Sequence, residues 1–120
     1  MRILGFSKKW PKLQEPEFTT FRFTRRDKDW QVDELAQIVF QPRRKGGGEK
    51  LGVAEIVGKE PRWIFTAKKP RGQKVVTPRE AHADGFKSYV DMAMWLVRAH
   101  GHQSLVDEPM NKLTLRWVNG

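Results

Sequence analysis

The chain has 120 residues, with 23 Lys and Arg against 14 Asp and Glu, a formal net charge of +9 and no cysteine. That length suits one domain with a real core, and the missing cysteines exclude disulfides, thiolate metal sites and a cysteine nucleophile. No run of about eighteen apolar residues is present, so no membrane span is expected, and a pI near 10.2 makes a polyanion a reasonable partner.

The opening "MRILGFSKKW" has only a short apolar patch before its lysines. This is not the pattern of a secretory signal, and a cytoplasmic location is expected. Residues 3–6 read as a short strand, and "SKKWPKL" as a basic loop interrupted by Pro11. Residues 18–24 alternate with period two. Thr20, Arg22, Thr24 and Arg26 share one polar face, while Thr19, Phe21, Phe23 and Arg25 share the other, which looks like core except for its last residue. A third strand at 36–41 is stopped by Pro42, and "RRKGGGEK" has the glycines and charges of an exposed hairpin tip. The strand after it, "LGVAEIVGKE", is expected to run antiparallel to the third. Residues 63–67 read as an extension of the sheet, and 68–74 as a second basic loop.

The pattern then turns helical. Thr77, Pro78 and Glu80 form a capping box with proline at its favoured position, and that turn ends near Gly85. A second helix is expected after Ser88 as cap. Tyr89, Val90, Ala93, Met94, Leu96 and Val97 lie at helical spacing, and Gly101 is the stop. Met92 and Met94 read as core and its flank. The closing "KLTLRWV" alternates again, with Leu113, Leu115 and Trp117 on one face. This order suggests a small curved antiparallel sheet or barrel with a helical insertion before the last strand.

The charge is segregated. Residues 1–79 hold 19 Lys and Arg against 9 Asp and Glu, whereas residues 80–120 hold 4 against 5. One side of the fold is therefore expected to face polyanion. The bland alternative is a basic soluble protein without such a partner.

"LGFSKKW", "TTFRF", "GVAEIVGKE", "EAHADGFKS" and "LTLRWV" occur in the order and spacing of the ASCH (activating-signal-cointegrator homology) domain, which the chain resembles over nearly its whole length. The most specific pieces are Thr20-x-Arg22 and the junction from Asp84 to Ser88. ASCH domains belong to the PUA-like superfamily. The resemblance implies an α+β, mainly β fold: a six-stranded antiparallel pseudo-barrel with two helices inserted before the last strand. It also implies RNA as partner, or DNA in some members, held in the cleft between barrel and helices. A monomer without cofactor or metal is expected.

In such a cleft, Arg and Lys neutralise phosphates, and aromatic rings stack on unpaired bases. Lys8, Lys9, Trp10 and Lys12 give the best basic-aromatic interleaving, with Trp10 either a stacking platform or a lid over the barrel end. Thr20, Arg22, Arg25 and Arg26 come from the alternating strand and its end. Arg43, Arg44 and Lys45, then Lys68, Lys69 and Arg71, extend the basic track from the two loops, and Lys87 and Ser88 come from the helix junction. Arg22 has a second reading, as an ion-pair partner of Glu55 or Asp84. The remaining tryptophans (Trp30, Trp63, Trp95 and Trp117) are assigned to core or partial core.

Two other classes remain open. One branch resembling this fold hydrolyses the amide of acetylated cytidine with a Lys, a Thr three residues on and a distant acid; some relatives are ribonucleases, for which no catalytic set maps here. Thr20 and Asp84 match the threonine and acid, but the lysine position falls on Glu17, and the spacing does not bring Lys9 or Lys12 into its place. A protein-interaction adaptor is the third class. His100-x-His102 lacks a third metal ligand and reads as dipole compensation at a helix end. "GGG" at 46–48 lacks the residues of a phosphate loop.

Overall fold

The computed structural model describes residues 1–118. Five strands make one curled sheet: β1 (Arg2–Phe6), β2 (Glu17–Phe23), β3 (Leu35–Phe40), β4 (Glu49–Arg62) and β5 (Met110–Trp117), in the spatial order β1-β3-β4-β5-β2. A 3-10 turn (Pro11–Gln14) lies between β1 and β2. Three helices, α1 (Pro78–Ala83), α2 (Tyr89–His100) and α3 (His102–Asp107), lie between β4 and β5. The fold is α+β and mainly strand.

The sheet differs from the expected six antiparallel strands. Among the described residues it has five, and β1 runs parallel to β3, with Leu4 opposite Ile38. The chain can make this parallel pair because β2 crosses away between them and pairs with β5 at the other edge of the sheet. Residues 63–67 do not extend the sheet. Trp63 takes its hydrogen bonds from the 74–76 segment instead, leaving one isolated bridge to Val75.

Curvature comes from β4. Its first half pairs antiparallel with β3 and its second half with β5, and each ladder slips once, near Ile38/Val39 and near Ile56/Gly58. Extra residues of this kind bend a strand and strengthen its twist. The two sheet edges, β1 and β2, consequently approach each other. Phe6 meets Phe18 edge-on at 6.1 Å, and the Arg22 Nη2 on β2 donates to the Gly5 carbonyl on β1 at 2.7 Å. A side chain thus spans the gap in the half-barrel.

Leu4, Ile38, Ile56, Leu113 and Leu115 fill the core from the sheet, and Ala81, Met92 and Leu105 from the helices. The capping box of α1 forms as expected, as does the Ser88 cap of α2. Gly101 stops α2 at φ 88° and redirects the chain into α3, a third helix that the reading of two helices missed. The buried stripe of α2 is Met92, Ala93 and Leu96. Val90 and Met94, expected on the apolar face, are 60% and 50% exposed, because the helix is rotated to put Met92 inward.

Among the described residues no helix is long and apolar enough to cross a membrane.

Candidate nucleic-acid interface

Both faces of β2 are covered. Phe21 is buried on one, and Phe18 and Thr20 on the other. The Thr20 and Arg22 face is not a free surface: Thr20 is buried, and Arg22 is held against Gly5 and the Phe6 ring at the end of β1. A cleft of about 350 Å³ remains, walled by β2, by the end of β1 and by α2.

Arg22 is at its centre. Nε donates to Thr20 Oγ1 at 3.1 Å and Nη2 to the Gly5 carbonyl at 2.7 Å, while Nη1 has no partner among the described residues. Its guanidinium lies 4.8 Å from the Phe6 ring centre. Neither Glu55 nor Asp84 forms a salt bridge with it. Burial pulls Arg22 down to about 10, with the Asp84 charge acting the other way, so it remains cationic at neutral pH.

Asp84 pairs instead with Lys12. Lys12 Nζ lies 2.6 Å from Asp84 Oδ1, and both side chains are buried. Burial lowers the Lys12 amine and raises the Asp84 carboxyl, each offset in part by the other's charge. The expectation that spacing keeps Lys12 out of the cleft is therefore corrected: the 3-10 turn projects it inward. Glu17, at the position where the lysine was sought, is exposed and paired with Arg116 at 3.2 Å. The Thr19 hydroxyl is buried without a hydrogen-bond partner among the described residues.

Trp10 forms a wall of the cleft rather than a presented platform. It is buried against Phe86 at 5.0 Å and Trp95 at 5.3 Å. Gly85 makes this possible: at φ 110°, a Cβ there would come within 2.7 Å of the indole. Trp95, Phe23 and His100 also line the cleft, and local sequence carried no signal for any of them. The His100 ring meets Phe23 edge-on at 5.0 Å; burial, and then the Arg22 charge, hold its pKa below the ordinary value.

The other expected residues are dispersed. Arg25, Arg43 and Arg44 line a second hollow that shares Arg22 with the cleft. Lys8 lies 4.4 Å from the Trp10 ring and, with Lys87, lines a shallow hollow beside α2. Lys9 pairs with Glu49, and Lys68 with Asp107. Lys69 caps its own loop by donating to the Gln73 carbonyl, and Ser88 is engaged as the α2 cap. Arg26, Lys45 and Arg71 are exposed. The loop carrying Lys68, Lys69 and Arg71 borders neither the cleft nor the second hollow.

A polar cluster outside the cleft holds α1 to the sheet. Glu80 accepts from Arg62 at 3.0 Å and Lys112 at 2.8 Å. Among the described residues no group of three or more His, Cys, Asp or Glu is placed to hold a metal ion. Compared with protein-family models, curated proteins and solved structures, the chain gives no match in any of the three.

Proposed function

We propose that the chain is a PUA-like domain of the ASCH type that binds single-stranded or locally unpaired RNA in the cleft between sheet and α2. One observation carries this reading: a half-buried guanidinium, Arg22, has no carboxylate partner among the described residues and leaves one nitrogen free of them in an open cleft. A cation in that state is poised for an anion that arrives from outside, since phosphate would complete its hydrogen bonds and its charge. Phe23 and Trp95 offer ring surface beside it, and the basic excess of residues 1–79 supplies long-range attraction. DNA is the alternative strand. Filter binding of a single-stranded RNA over a salt series tests the reading. Affinity is expected to fall steeply with salt, with a log–log slope of several units. No retention at low salt, or no salt dependence, overturns it.

A second reading is favoured by the Lys12–Asp84 pair. An amine and a carboxylate in one cleft with the Thr20 hydroxyl supply the residue types of an amide hydrolase acting on acetylated cytidine. Acetate release that is lost in Lys12→Ala and Thr20→Ala supports hydrolysis. Its absence in folded wild-type protein leaves the binding function alone.

A further inference from the structure

We propose that the arginine-lined hollow beside β1 takes a phosphomonoester, the dianionic end of a nucleic-acid strand or of a free nucleotide. In its strand form this rests on the nucleic-acid reading above. The hollow measures about 770 Å³ and adjoins the cleft through a shared wall that includes Gly5, Arg22 and Phe23. Four arginines line it (Arg22, Arg25, Arg43 and Arg44), and among the described residues no carboxylate does. Arg25 is paired at 3.2 Å with exposed Asp27. Arg22, Arg43 and Arg44 take part in no salt bridge among the described residues.

Charge and shape both favour a chain end. An internal phosphodiester carries one negative charge and continues in both directions. A terminal monoester carries close to two at neutral pH and offers three free oxygens, which suit several guanidinium forks. Its tryptophan is not a base platform: Trp30 is only 3% exposed, and its ring is covered by the Arg2 guanidinium at 4.2 Å, so Phe23 on the wall shared with the cleft is the partly exposed ring. The hairpin carrying Arg43 and Arg44 is anchored at its base. Arg44 N–H donates to the Gln41 carbonyl, and at Gly48 (φ 79°) a Cβ would stand 2.4 Å from the Phe40 and Gln41 carbonyl oxygens. These contacts fix the start of the hairpin, where Pro42, Arg43 and Arg44 line the hollow. A strand threaded through the cleft would meet this pocket at its end.

The test compares matched RNA oligonucleotides ending in hydroxyl, 5′-phosphate or 3′-phosphate, at one salt concentration, with inorganic phosphate and a nucleoside monophosphate titrated separately. One terminal phosphate is expected to raise wild-type affinity about tenfold, the effect of one added charge-assisted contact. In Arg43→Ala/Arg44→Ala that gain should fall below about twofold. In Lys68→Ala/Lys69→Ala, which removes the same charge elsewhere, it should persist. Equal affinity for all ends, or a gain that survives the arginine double variant, overturns the inference while leaving RNA binding intact. Binding of the mononucleotide in the hollow, lost in the double variant, with no oligonucleotide binding, keeps the site and removes the RNA reading. No binding of any of the probes overturns both.

Discussion

Lys12 and Asp84, 72 positions apart in the chain, meet at 2.6 Å with side chains only 7% and 9% exposed. The contact ties the 3-10 turn to the end of α1 and closes one end of the cleft. Breaking such a pair leaves a buried charge without a partner, which costs far more than the pair contributes. Lys12→Met is therefore expected to lower stability by about 3–5 kcal/mol, with Lys12→Met/Asp84→Leu recovering much of the loss. Urea denaturation of the two single variants and the double variant checks this. A loss in the double variant equal to the sum of the two single losses would show that the pair is not coupled.

Arg22 joins binding to architecture, because it spans β2 and β1 as well as facing the cleft. Arg22→Ala is expected to weaken RNA binding by about 1–3 kcal/mol and to lower stability by about 1 kcal/mol. Arg22→Lys should keep part of the affinity, since it retains charge but not the fork. Lys68→Ala should cost under about 1 kcal/mol in binding. Phe21→Ala, in the wall of the same cleft, should act chiefly on stability, by about 3–5 kcal/mol. Binding assays on variants shown folded by circular dichroism separate these. Wild-type affinity in folded Arg22→Ala would remove the cleft as the site.

Glu80 should govern part of the acid response. Burial raises its pKa, but the contacts with Lys112, the Thr77 N–H and Arg62 outweigh this, and the net shift is downward from 4.5. The folded state therefore binds this proton less readily than the unfolded chain. The stabilisation is full above about pH 4.5 and is lost as pH falls through the lower folded value. Glu80→Gln is expected to cost about 1.5–3 kcal/mol at pH 7 and progressively less below pH 4. A parallel loss at every pH would contradict this.

Gly85→Ala should damage the junction directly. The substitution meets both a left-handed φ of 110° and the Trp10 ring at 2.7 Å. A loss of about 1–3 kcal/mol is expected, together with a change in near-ultraviolet dichroism as Trp10 is displaced. An unchanged melting temperature would show that the indole moves aside freely.

Local signals in the chain carried much of the fold. The Thr77–Glu80 capping box, the Ser88 cap, the Gly101 stop and the hairpin from β3 to β4 are each made by residues a few positions apart, so their steric and hydrogen-bond rules are legible from spacing alone. The alternation in β2 placed Thr20 and Arg22 side by side, as found. Tertiary structure decided the rest. It set β1 parallel to β3, left Val90 exposed, buried Trp10, and gave Asp84 to Lys12 rather than to Arg22. Each of those outcomes depends on which distant segments meet once the sheet curls. A period or a motif within one segment holds no record of the surface that segment will meet.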